Sequence, residues 1–503
     1  MPSKTVRLPL TGSHVNRVSA TNALDTSSGY VGVGIVGIMI VGSTTASSNK
    51  DQRFVNCFGI STVDRITGVK RIYAVKRPGW GTDVTPEAGS VGAAILVWTG
   101  QGSGTKRISA FGTTNSNIYN GDTLLGAITG KCTGLTETFV STTPTICISS
   151  DDNTGWYYDT GVGVPTKITD VDFPGNAGKT IVGTFAHLDG FACIATSDGL
   201  LYASDVNSMT AWTATSYDSA NAYPDKGVGC VRHRNYIIVF GTESMQFFEN
   251  RGLTPFPLVK VTSLTQKIGA ISADAIAQLS DTTFWAGSTA QSGISIYKYD
   301  NGVARISTPE VDSLLILAGS SNISLTTLRH YGRSFLLVLA ATVQLVYCVE
   351  EDEWFEYTSS VPICYKCAGV SIGGTMVSYA VSKHSTSGKV FIQNQAALTY
   401  QDNGMAFTAR MQMALMGDQS NNRCFWEEAE LLCDVESGST ATLLSSDDDY
   451  QNYTTLATLD LSTERPRATR LGSSRRRSWI ITHSANTPFR AEALKIRYSV
   501  GSG

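Results

Sequence analysis

Short apolar runs separated by turn residues dominate the chain. The run Tyr236–Phe240 is apolar throughout and is closed by Gly241. Runs of this length that end at Gly, Asn or Asp are typical of strands in antiparallel sheets. Comparable strand-and-turn segments recur at 93–121, 145–160, 188–205, 232–252, 281–308, 330–360 and 367–394. The pattern therefore predicts an all-β chain.

The segments recur at intervals of roughly 40 to 50 residues, a period expected for propeller blades. A single small sheet cannot bury both of its faces, and stacking such sheets radially solves that problem. Trp212 and Trp354, each at the end of a segment, are expected to pack between adjacent sheets. We predict a β-propeller-like body of repeated small antiparallel sheets. A pair of β-sandwiches is the competing interpretation, because strand spacing alone does not distinguish the two.

The pattern changes near Tyr400. Residues 426–462 alternate apolar and polar positions at period two over several strands, without the earlier repeat. This predicts a C-terminal β-sandwich-like domain over 400–503. The propeller-like domain is then expected over 51–399, after an N-terminal arm or strand segment over 1–50.

Composition limits the classes of partner. Charged residues make up 16% of the 503 residues, against roughly 25% in an average globular protein. Such a surface suits a protein that buries much of its exterior against neighbours, and it suits an ordinary β-rich monomer with Ser and Thr on its surface about as well. The net charge of −3 excludes a strong electrostatic grip on nucleic acid, because that grip comes from excess Lys and Arg. A conduit through which DNA slides is compatible with this neutrality.

The cysteines are expected to be buried thiols rather than a disulfide framework, as suits assembly in a reducing cytosol. The ten are Cys57, Cys132, Cys147, Cys193, Cys230, Cys348, Cys364, Cys367, Cys424 and Cys433. Only Cys364 and Cys367 have the spacing of a metal or redox pair. A second pair of ligands at comparable spacing is missing, so structural cysteines are favoured over a zinc site.

One apolar segment, Val31–Val41, is too short for a membrane-spanning helix. It has about eleven residues, whereas a spanning helix needs roughly 20. Its glycines and β-branched residues favour a buried strand, or a strand lent to a neighbouring subunit; a membrane-active segment is the alternative. The first ten residues do not resemble a signal peptide. Stable membrane insertion is not expected.

Candidate chemistry is sparse. The six histidines show no metal-binding helical spacing, and His187 and His233, placed at the start of strands, are expected to serve blade packing. Neither a nucleophile elbow nor a phosphate loop occurs. Residues 446–449 (Ser-Asp-Asp-Asp) suggest a solvated turn rather than a calcium loop. The acidic residues 350–353 suggest an exposed hairpin tip, a poor arrangement for glycoside hydrolysis. We predict no catalytic residue, metal ligand or cofactor.

A basic cluster lies near the C-terminus: Arg465, Arg467, Arg470, Arg475, Arg476 and Arg477. Arginine forms charge-assisted pairs with carboxylates and phosphates. Contact with an acidic surface of a neighbouring subunit is the favoured interpretation. A solvated charged face and contact with DNA phosphates are the alternatives.

The order of several short motifs is similar to that of a known family. Asp225 follows a proline, Phe-Gly ends a strand at Gly241, Phe-x-Asn-x-Gly spans 248–252, Phe-Trp-x-Gly spans 284–287 and Arg-Ile-Ser-Thr spans 305–308. Upstream, residues 53–58 contain Asn56-Cys57 and an aromatic residue, followed by Arg77-Pro-Gly. Downstream, Val-Glu-x-Gly begins at Val435, Ser-Asp-Asp at Ser446 and Arg-Leu-Gly at Arg470. With its motifs in this order, the chain resembles the tail accessory family of short-tailed bacteriophages. Members of that family are called packaged-DNA stabilisation proteins, tail hubs or nozzles.

The resemblance implies a non-enzymatic virion protein of the tail, assembled in the host bacterial cytoplasm. Such a protein would form a homo-oligomeric ring, a hexamer, below the portal and its adaptor. The ring would extend the channel for translocating double-stranded DNA and hold a tail needle or plug, with tailspikes or fibres on its flank. The alternative function is a receptor- or glycan-binding tail propeller, possibly hydrolytic. A soluble propeller unrelated to virions is a third possibility, against which the motif order argues.

Overall fold

The computed structural model describes residues 4–9, 53–63, 70–98, 106–140, 143–159, 163–289, 292–358, 365–372, 374–418 and 421–501. The predicted apolar strand Val31–Val41 lies outside these residues, and so does Cys364. Almost all regular structure in the described residues is β-strand, as predicted.

The strands of the first half of the chain are short and follow one another closely. They are β1 (Lys4–Pro9), β2 (Arg53–Val55), β3 (Cys57–Val63), β4 (Lys70–Lys76), β5 (Gly81–Val84), β6 (Gly92–Trp98), β7 (Lys106–Phe111), β8 (Ser116–Asn120), β9 (Thr123–Ile128), β10 (Cys132–Val140), β11 (Thr143–Ser150), β12 (Gly155–Asp159), β13 (Pro165–Lys167), β14 (Ile181–Leu188), β15 (Phe191–Thr196), β16 (Leu200–Ser204), β17 (Trp212–Ser219), β18 (Gly227–His233), β19 (Tyr236–Gly241), β20 (Met245–Asn250) and β21 (Leu258–Lys260).

The second half adds β22 (Ile276–Leu279), β23 (Thr282–Thr289), β24 (Ser292–Tyr299), β25 (Val303–Arg305), β26 (Ile323–His330), β27 (Arg333–Ala340), β28 (Val343–Cys348), β29 (Glu353–Tyr357), β30 (Lys366–Ile372), β31 (Thr375–Val381), β32 (Val390–Asn394), β33 (Gln401–Asp402), β34 (Met405–Ala406), β35 (Ala409–Gln412), β36 (Met416–Gly417), β37 (Cys424–Cys433), β38 (Thr440–Ser446), β39 (Thr454–Asp460), β40 (Arg467–Thr469), β41 (Ser473–Ser474), β42 (Arg476–His483) and β43 (Arg490–Val500). Short 3₁₀ turns cover Thr262–Leu264, Ala273–Ala275 and Ser320–Asn322.

The α-helix of the described part of the chain, α1 (Pro309–Ala318), directly follows the Arg-Ile-Ser-Thr motif. The Thr308 hydroxyl accepts a hydrogen bond from the Val311 backbone N–H, and proline occupies the first helical position. Both features favour a helix start, since they satisfy or remove backbone donors without a helical partner. Ser307 accepts from the Ile296 N–H at 3.0 Å. The motif therefore fixes the junction between a strand and the helix.

The chain divides into two compact units. Residues 82–342 and 361–396 form one unit, and residues 1–81, 343–360 and 397–503 form the other. We call them the propeller unit and the sandwich unit. Both are discontinuous in sequence. The predicted domain boundaries after residues 50 and 399 stay predictions.

The propeller unit is a series of small antiparallel sheets, each made of consecutive strands. Four-stranded sheets form in the orders β6-β7-β8-β9, β10-β11-β12-β13, β14-β15-β16-β17, β18-β19-β20-β21 and β22-β23-β24-β25. The hairpin β26–β27 follows, and then β30-β31-β32. First strands lie beside one another in the pairs β6/β10, β10/β14, β14/β18, β22/β26 and β26/β30, and β30 returns to β6. The sheets that begin with β18 and β22 are joined by a shared hydrophobic cluster. The predicted propeller is confirmed.

The ring closes with a strand from the start of the propeller sequence. Strand β5 precedes β6 in sequence but completes the sheet β30-β31-β32-β5. A hydrophobic cluster that contains Ile95, Phe111, Val377 and Val381 then packs this sheet against the β6–β9 sheet. Joining strands from the two ends of the ring in one sheet ties the last blade to the first.

Apolar side chains fill the space between neighbouring sheets. Trp212 packs with Phe173 at 5.1 Å between ring centroids, in a cluster that also contains Cys147 and Phe185 from the β10–β13 and β14–β17 sheets. The prediction that Trp212 packs between sheets is confirmed. Trp354 lies in the sandwich unit, where it is 5.2 Å from Tyr347 on the neighbouring strand.

The sandwich unit consists of two sheets around one core. One sheet has the order β3-β4-β43-β37-β40, with β1 beside β43 and β41 beside β37. The other contains β28-β29-β2-β35-β42-β38-β39, with β36 beside β42. Trp426 and Trp479, one from each sheet, meet at 5.4 Å in the shared core. Strands from the N-terminal hundred residues thus complete a layer built mainly by the C-terminal region.

Seven of the nine described cysteines are buried, and all nine are free thiols. Burial raises the pKa of Cys132 and of Cys147 to about 12. Thiols with such a pKa are not reactive nucleophiles at neutral pH. The prediction that most cysteines are small buried hydrophobes is confirmed.

Candidate functional site

We call the first strand of each sheet in the propeller unit its inner strand, and glycines bring neighbouring inner strands close together. A Cβ atom placed on Gly183 would lie 3.0 Å from the Gly229 Cα atom on the neighbouring inner strand. One placed on Gly134 would lie 1.8 Å from a methyl group of Thr184. Two of the cavities among the described inner strands have volumes of about 150 and 340 Å³.

The smaller cavity borders a cluster of charged side chains. Its lining includes Thr133, Asp274 and Lys366, from β10, a 3₁₀ turn and β30. The Lys366 ammonium lies 3.1 Å from the Asp274 carboxylate, and the Tyr365 hydroxyl donates to the same carboxylate at 2.6 Å. Burial alone would raise the pKa of Asp274, but Lys366 and the Tyr365 hydroxyl hold that pKa below its ordinary value. Asp274 is therefore ionised.

A second ammonium group joins this cluster. The Lys383 Nζ atom lies 4.5 Å from the centre of the Tyr365 ring, over its face. Burial lowers the pKa of Lys383; Asp274 opposes this effect, whereas the positive charges of Lys366 and Lys131 add to it. In the described residues Lys383 has no carboxylate within salt-bridge distance. This cluster could not be predicted from the sequence, because its members are far apart along the chain.

The larger cavity is lined by Glu137, His187, Arg232 and Gln278, which lie on four different inner strands. Glu137 and Arg232 are exposed there. Burial is the main cause that lowers the pKa of His187, and Arg232 adds to it. His187 is therefore neutral at pH 7.

The expected position of the histidines was wrong, although a packing role fits their surroundings. His187 lies one residue before the end of β14, and His233 is the last residue of β18. His330 occupies the same last position in β26. Turns with positive φ follow, at Asp189, Arg234 and Tyr331. Repetition of this His-turn arrangement is a signal that the sequence contained.

The six arginines of the basic cluster are not equivalent. Arg465 and Arg467 are exposed and lie 3.6 Å from Glu430 and Glu428 respectively. They belong to a set of ion pairs on the β40, β37 and β43 strands that also includes Arg497. Arg470, Arg475 and Arg476 are exposed and have no ion pair among the described residues.

Arg477 differs from the other five because it is buried. Its Nε and Nη2 atoms each lie 2.6 Å from an oxygen of Asp447, and its guanidinium stands 5.4 Å from the centre of the Trp479 ring. This bidentate pair anchors the fold of the sandwich unit. Any contact made by the cluster with another molecule therefore depends on the exposed arginines.

The two acidic segments have structural contacts. Within residues 446–449, Asp447 pairs with Arg477, and Asp448 accepts hydrogen bonds from Ser446 and Asn452 at 2.9 and 2.6 Å. Residues 349–352 form the turn between β28 and β29, where the hairpin tip was predicted. However, Glu351 is buried and accepts from the Ser61 N–H and hydroxyl, so the tip is only partly exposed.

A buried polar network surrounds the Arg77-Pro-Gly motif. The Arg77 side chain is almost fully buried and donates to Asn56 at 2.9 Å, to the Thr358 carbonyl at 3.2 Å and to both oxygens of Asp402. Its guanidinium lies 3.9 Å from the centre of the Phe407 ring. Asn56 has a φ of 55°, a conformation that asparagine tolerates better than most residues. The motif thus holds together distant parts of the sandwich unit.

The family comparison accords with this architecture. A family model described as "Phage_stabilise: Bacteriophage P22 Gp10, beta-propeller" matches residues 104–364, just over half of the chain. The chain belongs to this family. It is therefore a structural protein of the bacteriophage tail, a component of the virion, and the resemblance inferred from its motifs is confirmed. A search of curated proteins finds no match.

Several solved structures are similar over part of the chain. Raptor from Chaetomium thermophilum matches at 12% identity and a TM-score of 0.40, over 63% of this chain and 29% of that chain. A chain of the Mitotic Checkpoint Complex matches at 11% identity and a TM-score of 0.41, over 66% of this chain and 94% of that chain. BamB from Moraxella catarrhalis matches at 8% identity and a TM-score of 0.38, over 67% of this chain and 97% of that chain. No helix within the described ranges is long and apolar enough to cross a membrane.

Proposed function

We propose that this protein forms the hub, or nozzle, of a short-tailed phage. Six copies form a ring below the portal and adaptor, extend the DNA channel, retain the packaged genome and release it during ejection. The ring holds a tail needle or plug, and tailspikes or fibres bind its flank. Membership of the phage stabilisation family supports this function.

The small size of the cavities among the inner strands of the propeller is the observation that supports the ring. They hold about 150 and 340 Å³, far less than a bore for a duplex whose major groove alone is roughly 12 Å wide would need. Double-stranded DNA therefore cannot pass through the propeller axis. A channel for DNA then requires a lumen enclosed by several copies of the chain, as in a cyclic oligomer.

Charge and thiol chemistry agree with this proposal. With a net charge of −3, the chain offers no excess of cations to hold DNA phosphates, so a duplex can slide past it. The nine described cysteines are free, which suits assembly in a reducing bacterial cytoplasm before incorporation into the virion. We assign no enzymatic step to the protein.

Electron microscopy and native mass spectrometry of the purified protein test the proposal, alone and mixed with portal–adaptor complexes. We expect six-fold rings with a lumen wide enough for duplex DNA, docked coaxially on the connector. The matched control is the same mixture with portal lacking its adaptor, to which the rings should not dock. Monomers that neither assemble nor bind the connector would overturn the proposal.

A further inference from the structure

An exposed aromatic ring lies among arginines at one end of a sheet of the sandwich unit. Phe425 is 48% exposed and pairs directly with Ser473 across β37 and β41. Arg423 lies two residues before Phe425, and Arg475 lies two residues after Ser473. Arg470 adjoins them, because its N–H donates to a backbone carbonyl of β37 at 3.0 Å. We call Arg423, Phe425, Arg470 and Arg475 the Phe425 patch.

The Phe425 patch has an excess of positive charge. Its three arginines are exposed and have no ion pair among the described residues. Two carboxylates lie nearby in sequence and have other partners: Glu427 lies 3.3 Å from Arg497, and Asp418 accepts from the Asn422 side chain at 3.0 Å. A single exposed apolar side chain is common, but aromatic and arginine side chains together are typical of the residues that contribute most to binding at protein interfaces. The patch is therefore suited to an acidic partner with an apolar centre.

Acidic charge in the propeller unit is concentrated in two neighbouring sheets. Residues 132–219, which include β10 to β17, contain ten carboxylates and two lysines. The rest of that unit contains sixteen Lys and Arg residues and eleven Asp and Glu residues. Because opposite charges attract across an interface, these two sheets are the part of the propeller unit that best complements the arginines of the Phe425 patch.

Within these sheets, one pair of adjoining turns has the complementary composition. Asp189 lies in the turn after β14, and Asp205 begins the loop after β16. The two segments touch, because the Asn207 N–H donates to the Gly190 carbonyl at 2.8 Å. Both carboxylates are exposed and have no ion pair among the described residues, and Val206 beside them is 58% exposed. We call Asp189, Asp205 and Val206 the Val206 turn.

We propose that the Phe425 patch of one copy of this chain packs against the Val206 turn of a second copy. A closed ring of more than two copies requires a heterologous contact, in which two different surfaces of the same chain meet. These two surfaces are opposite in charge, and each has an exposed apolar side chain to bury against the other. The inference rests on the proposed hub function, since it names the surfaces by which copies contact one another in the ring.

Charge reversal tests the contact in the full-length protein, with assembly followed by sedimentation velocity. Arg475→Glu and Asp205→Lys should each weaken self-association by at least about tenfold, and both changes in one chain should restore it to within about threefold of the wild type. Asp122→Lys is the matched control, because Asp122 is an exposed carboxylate of the same unit outside the Val206 turn. This control variant should assemble as the wild type does.

Mixing the two single variants separates a contact between copies from misfolding. After reversal, both surfaces of the Arg475→Glu chain are negative, and both surfaces of the Asp205→Lys chain are positive. Every contact between unlike chains then joins opposite charges, so an equimolar mixture should assemble although neither variant does so alone. Assembly of both single variants as in the wild type, or failure of both the mixture and the double variant, would refute the contact.

Failure of this contact is distinguishable from failure of the hub function. If wild-type chains neither self-associate nor dock on the portal–adaptor complex, the hub function is overturned and the contact with it. If the wild type and the charge-reversed variants all form rings, only the contact is overturned. Variants that self-associate normally but no longer dock would assign the Phe425 patch or the Val206 turn to the connector, which equally excludes the contact between copies.

Discussion

Replacing Arg77 by methionine should destabilise the sandwich unit more than any surface charge deletion. The substitution keeps most of the apolar volume of the side chain and removes the guanidinium that pairs with Asp402. Both partners are almost fully buried, with 3% and 2% of their side chains exposed. Asp402 would then be a buried carboxylate without its ion-pair partner, left with the Trp80 N–H at 3.1 Å and the more distant positive charge of Lys76.

The expected loss of stability follows from leaving the buried Asp402 charge without its ion-pair partner. Breaking a buried ion pair on one side costs about 3–5 kcal/mol, because the remaining charge stays desolvated. Asn56 and the Thr358 carbonyl also lose a donor, which adds to that cost. We therefore expect Arg77→Met to lower the free energy of unfolding of this unit by at least about 3 kcal/mol.

The assay is urea unfolding followed by far-ultraviolet circular dichroism and by limited proteolysis of the sandwich unit. The control is Arg490→Met, which deletes a salt bridge to Asp434 at 2.7 Å between half-exposed side chains. Exposed pairs contribute about 0–1 kcal/mol, so this variant should remain near wild type. Both arginines belong to the same unit, which makes the comparison direct.

A double mutant separates the ion pair from simple loss of packing. Arg77→Met combined with Asp402→Asn leaves no unpaired buried charge. The loss of unfolding free energy in the double variant should therefore be smaller than the sum of the losses in the two single variants. Additive effects would mean that the carboxylate is not held by Arg77. A loss below about 1 kcal/mol in Arg77→Met alone would contradict the buried-pair account.

Three further outcomes follow from the structure. Burial lowers the pKa of His330 from 6.5 to about 3, so the unfolded chain takes up the proton first and stability falls as the pH drops from about 6.5 to 3. The wild type should lose about 2–3 kcal/mol more than His330→Gln between pH 7 and 4.5, as measured by urea unfolding, and equal losses would contradict this assignment. Gly287→Ala should lower the free energy of unfolding by about 1–3 kcal/mol, because its Cβ would lie 2.4 Å from the Gly269 backbone oxygen. Gly302→Ala is the control: it has open space around it and should lower that free energy by less than about 1 kcal/mol. If the ring proposal holds, Arg476→Gln should weaken self-association about tenfold in sedimentation experiments, and Arg465→Gln, whose charge is already balanced by Glu430, should not; the reverse order would exclude the predicted subunit contact.

Local patterns predicted the fold well because strand signals are local. The run Tyr236–Phe240 forms β19, and Trp212, the first residue of β17, packs between sheets because burial of its large aromatic side chain against the neighbouring sheet is favourable. The closing strand β5 gave no comparable signal, since its pairing with β32 joins residues about 300 positions apart. Helix α1 lies in a stretch that the strand pattern did not describe.

Side-chain roles were less predictable, because they depend on which distant residues meet. Six neighbouring arginines appeared as one cluster, yet alternation along the strands buries Arg477 against Asp447 and exposes Arg475 and Arg476. In the same way, Lys366 and Lys383 are unremarkable in sequence and become neighbours of Asp274 only in the folded chain.

The distribution of charge links these observations to the proposed role in the tail. Within the propeller unit, Lys366 lies beside a cavity that is too small for DNA and is paired with Asp274. In the sandwich unit, Arg467 on β40 and Arg497 on β43 pair with glutamates of β37, which removes part of the attraction of this face for phosphate. Arg470, Arg475 and Arg476 are exposed and have no ion pair among the described residues. Tight phosphate contacts would slow a translocating duplex, because each neutralised phosphate adds to the affinity. If the chain forms the proposed ring, these three arginines are therefore expected to face a neighbouring subunit rather than the lumen.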